Sequence, residues 1–187
     1  MGLYGVTFQE TLIAAQVDGP TLTAAAAASC LPPAARYVLP SNFFSIGKAL
    51  RIIAKGRISC AVTTPGTARF DLRFGAGATV VADSLAMNLN IVVKTNVNWI
   101  LEMLLTCRAI GAAGNLMWQG KWLSEAVIGS PLPTVGGCGM LTLPVNAAPA
   151  VGANFDTTAA QVVDLFFTQT VATGSLTLHQ YTLESLN

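Results

Sequence analysis

LRIIAKGRISCAVTTPGTARFDLRF, residues 50–74, decides the fold. Apolar or small residues occupy Leu50, Ile52, Ala54, Gly56, Ile58, Cys60 and Val62, while Arg51, Lys55, Arg57, Ser59 and Thr63 take most of the alternate positions. Successive side chains on a strand point to opposite faces, so this period of two describes a strand with one dry face. Thr64-Pro65-Gly66 then sets a residue of fixed φ beside one that tolerates positive φ, which is a turn signal. Beyond it Ala68, Phe70, Leu72 and Phe74 continue the dry side, and Thr67, Arg69, Asp71 and Arg73 the wet side. The pattern predicts a hairpin. Its inner face requires a second sheet, because two strands alone are marginal in water.

The same alternation recurs downstream. Trp99, Leu101, Met103, Leu105 and Cys107 share one face of a strand, with Glu102, Thr106 and Arg108 on the other. That other face also carries Ile100 and Leu104, a mixture common at interfaces. Trp99, Met103 and Ile110 also fit a helical period, but the loop signal Gly111-Ala112-Ala113-Gly114-Asn115 and the renewed alternation from Leu116 to Leu123 favour strands. Trp118, Gly120 and Trp122 share a face there, opposite Gln119 and Lys121. Val163, Leu165, Phe167 and Val171 alternate with Asp164, Thr168 and Thr170, and Leu176 to Leu183 forms the last strand. Thr79 to Val81 and Leu85 to Val93 are short candidates. Ala24 to Ala28 reads as a loop, since Leu31-Pro32-Pro33 ends any helix. The expected architecture is all-β: one domain over residues 1–187 with an extended N-terminal segment to about residue 45, then an antiparallel two-sheet sandwich of jelly-roll type with eight to ten strands. Its expected core is Ile52, Ile58, Phe70, Leu72, Phe74, Trp99, Leu101, Met103, Leu105, Val163, Leu165 and Phe167.

Of the 187 residues 52% are hydrophobic and only 10% charged, against roughly 25% charged in an average soluble chain. So neutral a surface is expected to be covered in a lasting assembly. A mean hydropathy of +0.56 raises the question of a membrane. The uncharged stretch from Ala126 to Phe155 is interrupted by Pro131, Pro133, Pro144 and Pro149 and by five glycines, too many breaks for a spanning helix. It reads as loops around a short strand. No Lys or Arg precedes Arg36, so the basic start of a secretory signal is missing, and Val6 stands where a myristoylation signal needs Ser or Thr. The expectation is a protein made and kept in a cytoplasm, with no membrane partner.

Cys30, Cys60, Cys107 and Cys138 are far apart and lack paired spacing, which argues against zinc. Cys60 and Cys107 fall on dry faces and read as small buried hydrophobes. The single histidine, His179, cannot build a multi-histidine metal site and reads as a packing or surface residue. No Gly-x-Ser-x-Gly or Walker loop occurs. Gly136-Gly137-Cys138-Gly139 precedes no helix signature. The nine acidic residues are scattered. A non-enzymatic protein without metal or cofactor is expected.

Six of the ten basic residues, Lys48, Arg51, Lys55, Arg57, Arg69 and Arg73, cluster on the first hairpin or its approach. The bland reading is a solvated outer face. Nucleic acid would want a denser basic patch with exposed aromatics and a basic balance, and the net charge is +1. Arg51, Lys55, Arg57, Arg69 and Arg73 therefore form a candidate docking face for another protein.

AAQVDGPTLT (Ala14 to Thr23), LPSNFFSIGKALRIIAKGRIS (Leu39 to Ser59), WILEMLLTCRAIG (Trp99 to Gly111) and LHQYTLESLN (Leu178 to Asn187) resemble small structural proteins of tailed bacteriophages, notably phages of actinobacteria. The resemblance covers most of the chain. It implies a head decoration or cement protein, a jelly-roll module sitting as a homotrimer on the virion shell and bound to the major capsid protein. A tail-associated or host-surface, carbohydrate-binding jelly roll is the alternative. The motifs are structural, and no functional residue transfers with them.

Overall fold

A computed structural model describes residues 9–60, 66–75, 77–126 and 139–186. In chain order the strands are β1 (Glu10–Ala14), β2 (Ala27–Ser29), β3 (Val38–Leu39), β4 (Ala49–Cys60), β5 (Thr67–Phe74), β6 (Thr79–Asp83), β7 (Met87–Asn88), β8 (Lys94–Ala109), β9 (Asn115–Ser124), β10 (Gly139–Leu143), β11 (Gln161–Val162), β12 (Asp164–Gln169) and β13 (Ser175–Ser185). One short 3-10 turn, Pro33–Ala35, precedes β3. The strands beyond the expected eight to ten are pieces of two or three residues, such as β2, β3, β7 and β11, too short to display a period. Among the described residues no helix is long and apolar enough to cross a membrane.

Among the described residues all strand pairings are antiparallel. One sheet runs β1-β13-β4-β8-β9-β10 and the other β2-β12-β5-β6, with β7 also on β5 and a small β11-β3 pair beside them. The pairs β1·β13, β2·β12, β4·β8 and β5·β6 are nested in sequence, as in a long ribbon folded back on itself. The sheets pack face to face over one cluster of buried apolar residues. Phe70 joins them: its ring lies 5.2 Å from Trp99 and 5.1 Å from Trp122 of the six-stranded sheet, and 5.2 Å from Phe167 beside it. Phe74, Phe44 and Phe155 form a second aromatic group. All twelve residues expected in the core are buried.

The expected hairpin does not form. β4 lies between β13 and β8, whereas β5 lies between β12 and β6 in the opposite sheet. Alternation fixes which face of a strand is dry but not which strand lies beside it, and two dry faces are satisfied equally well when they meet across the core. The predicted turn at Thr64-Pro65 lies outside the described residues. Gly66, immediately after it, takes the positive φ of 68° expected of a turn glycine.

Residues 9–45, expected as an extended segment, are woven into both sheets through β1 and β2. The alanine run read as a loop ends in β2. Between β11 and β12 the predicted continuous alternation breaks at Val163, whose N–H donates to the Tyr37 carbonyl at 2.8 Å. The stretch read as loops around a short strand contains β10. Its later part closes the sandwich: Gly152 donates to the Leu116 carbonyl at 3.0 Å, while Ala153 donates to the Val80 carbonyl on β6 of the other sheet and Val145 to that of Ser84 just beyond β6. Gly152 is needed there, since a Cβ would collide with the Val81 carbonyl oxygen.

Candidate interaction surface

The five predicted docking residues do not share a face. Arg69 and Arg73 point away from the core on β5, and Arg51, Lys55 and Arg57 on β4, so the two groups lie on opposite outer surfaces of the sandwich.

On the β5 side the arginines are consumed locally. Asp71, only 2% exposed, accepts from Arg69 Nε at 3.0 Å and Arg73 Nη2 at 2.9 Å. Arg69 also pairs with Asp83 of β6, which keeps its guanidinium strongly protonated. Arg73 lies 4.1 Å over the Phe166 ring. Across the strands Asp164, 4% exposed, pairs with Arg36 at 3.2 Å and accepts from the Ser29 hydroxyl. Burial pushes the Asp164 carboxyl above its ordinary range, opposed by the Ser29 hydrogen bond and Arg36. Three carboxylates meet three guanidiniums here, leaving little charge for a partner. The cluster fastens β2, β12, β5 and β6 together.

The outer surface of the six-stranded sheet is different. Arg51 is held by Glu184, its Nε donating at 2.7 Å, and Glu102 pairs with Lys121 at 2.7 Å. Lys55 and Arg57 on β4 and Arg108 on β8 are exposed and have no ion pair among the described residues. With Asp18, which lies against His179, this surface sets five cations against three carboxylates. Aliphatic side chains lie between the charges. Ile100 stands opposite Lys55 on one side and Leu123 on the other, and Leu123 opposite Met140 of β10. Ile100 is 38% exposed, Leu104 48% and Met140 65%, with Ile53 and Leu123 half-buried.

A bulge in β13 shapes this surface. The register of β13 on β4 shifts between Leu178 and Gln180, leaving His179 unpaired in the ladder. Gly56 lies against it, where a Cβ would collide with the Thr177 carbonyl oxygen. The bulge leaves a groove of about 310 Å³ lined by Lys55, Asn98, Ile100, His179 and Gln180. Another of about 380 Å³ runs from Lys55 toward Ile53, Thr182 and Ala14. Lys55 stands between them.

Comparison with protein-family models, with curated proteins and with solved structures returned no match for this chain.

His179 sits at the surface, its Nδ1 2.9 Å from an Asp18 carboxylate oxygen. Cys30, Cys60 and Cys107 are buried free thiols donating to backbone carbonyls of Leu165, Asn90 and Ala109, and burial pushes all three thiols up. Cys138 lies outside the described residues. Among the described residues no three His, Cys, Asp or Glu side chains stand close enough to hold a metal ion.

Sequence reasoning found Lys55 and Arg57 and flagged the face that carries Ile100, Leu104 and Arg108, but missed Met140 and Gln180. Met140 was hidden in a strand of five residues, where Leu141 and Leu143 inward against Met140 and Thr142 outward is the whole signal.

Proposed function

We propose that the protein is a virion structural protein, a decoration or cement subunit of a tailed-phage head that binds the major capsid protein and works by attachment rather than catalysis. In this reading it is made in the bacterial cytoplasm, assembles as a homotrimer and ends on the outside of the shell. The observation that carries the reading is the outer surface of the six-stranded sheet: broad, partly aliphatic, and cationic through Lys55, Arg57 and Arg108. Such a surface suits a broad, lasting protein contact. The nested pairing of β1·β13, β2·β12, β4·β8 and β5·β6 supports the jelly-roll form of the sandwich, since a jelly roll is a ribbon wound in this order.

A sugar-binding module is less well supported, because the large hydrophobic side chains exposed among the described residues are aliphatic and offer no aromatic platform. Copy number is the direct test. Quantitative mass spectrometry of purified particles is expected to find this chain in a stoichiometry comparable with the major capsid protein; a handful of copies per particle would overturn the head assignment.

A further inference from the structure

The β13 bulge makes a groove on the outer surface of the six-stranded sheet, and polar groups converge there. Lys55 supplies an ammonium that has no ion pair among the described residues, and Asn98 and Gln180 supply amides beside it. Arg57, two residues along the same face of β4, brings a second such cation. The nearby carboxylates are already engaged: Asp18 by His179, Glu184 by Arg51 and Glu102 by Lys121. Ile100 forms the apolar wall and continues into Leu123 and Met140.

We propose that this groove receives an acidic side chain from a partner protein, with Lys55 and Arg57 as its counter-charges and the Ile100-Leu123-Met140 strip packing against apolar residues that flank it. The occupant is a carboxylate-bearing, partly apolar protein segment. Charge complementarity favours a different protein over a second copy of this chain, whose other broad surface holds Asp71, Asp83 and Asp164 already neutralised by Arg69, Arg73 and Arg36. The inference rests on the proposed function only in taking that segment to belong to the shell; the groove's preference for carboxylates is measured without heads, so the two can fail separately.

The probe is a capped peptide of alternating glutamate and leucine, titrated into the full chain at low salt and followed by backbone amide chemical shifts, with the alternating lysine and leucine peptide as control. Shifts are expected at Lys55, Asn98, Ile100, His179 and Gln180 with the glutamate peptide alone. Affinity is expected to fall by about tenfold or more in Lys55→Glu/Arg57→Glu and by less in Lys55→Gln/Arg57→Gln, with the remaining spectrum unchanged. Absent or scattered shifts, equal response to the lysine peptide, or unaltered affinity in the charge-reversed variant would overturn the proposal. So would light scattering in which charge reversal converts an oligomer to monomers, because the occupant would then be a second copy.

Discussion

Phe70 touches aromatic rings from both sheets, so its truncation empties the place where they meet. Phe70→Ala is expected to cost about 3–5 kcal/mol, read from denaturant midpoints, whereas Lys55→Ala on the open surface should stay within about 0.5 kcal/mol. Equal losses would refute the burial assigned to Phe70. Alternation alone identified this side chain as buried, because dry and wet faces are local properties of a strand. The same pattern misjudged Asp71 and Asp164: both face outward as expected, yet Arg69 and Arg73 on the same strand cover Asp71, and Arg36 from the segment before β3 covers Asp164. Asp164 gives a pH signature. Its carboxyl is raised above 3.8, so the folded state holds that proton more tightly than the unfolded state, and this group's contribution to stability falls as pH rises through the interval. Asp164→Asn removes the titration. The stability of the variant relative to the parent should therefore improve from about pH 3 to pH 7, measured by urea unfolding at each pH; a flat difference would contradict the raised carboxyl.

Each long strand was legible and its neighbours were not. β4, β5, β8, β9 and β13 all announce themselves through a period of two, but partner choice depends on contacts between residues distant in sequence, such as Leu183 of β13 opposite Ile52 of β4. A hairpin closed at Pro65 would set Arg57 opposite Arg73 on neighbouring strands, about 5 Å apart between Cα atoms. In the structure they occupy the outer surfaces of two sheets. Since packed sheets lie roughly 10 Å apart and side chains extend outward from each, spin labels at positions 57 and 73 should report a separation of more than roughly 20 Å by pulsed electron resonance. Arg69 still holds Asp71 when position 73 is labelled. The bulge offers a second test at this scale. Gly56→Ala should destabilise by about 1–3 kcal/mol, because the new methyl must displace the β13 backbone at Thr177 rather than a mobile side chain.

At the scale of the whole molecule the two broad surfaces divide the charge unequally. One closes its arginines on buried carboxylates and is nearly neutral; the other leaves Lys55, Arg57 and Arg108 free of ion pairs among the described residues. The sequence showed how many cations the hairpin region held but not this division, which follows only from β4 and β5 entering different sheets. If attachment uses the cationic surface, self-association must leave that surface open. The proposed trimer should then persist in Lys55→Glu/Arg57→Glu by multi-angle light scattering, with its thermal midpoint nearly unmoved because both positions are solvated. Binding to undecorated heads should fall in that variant. In the parent it should weaken as salt rises and shortens the range of exposed charges from about 10 Å at 0.1 M toward about 3 Å at 1 M. The aliphatic strip should hold a salt-resistant remainder, since apolar burial is not screened, and Met140→Asp should abolish that remainder. Attachment that is indifferent both to salt and to Met140→Asp would place the contact elsewhere on the molecule.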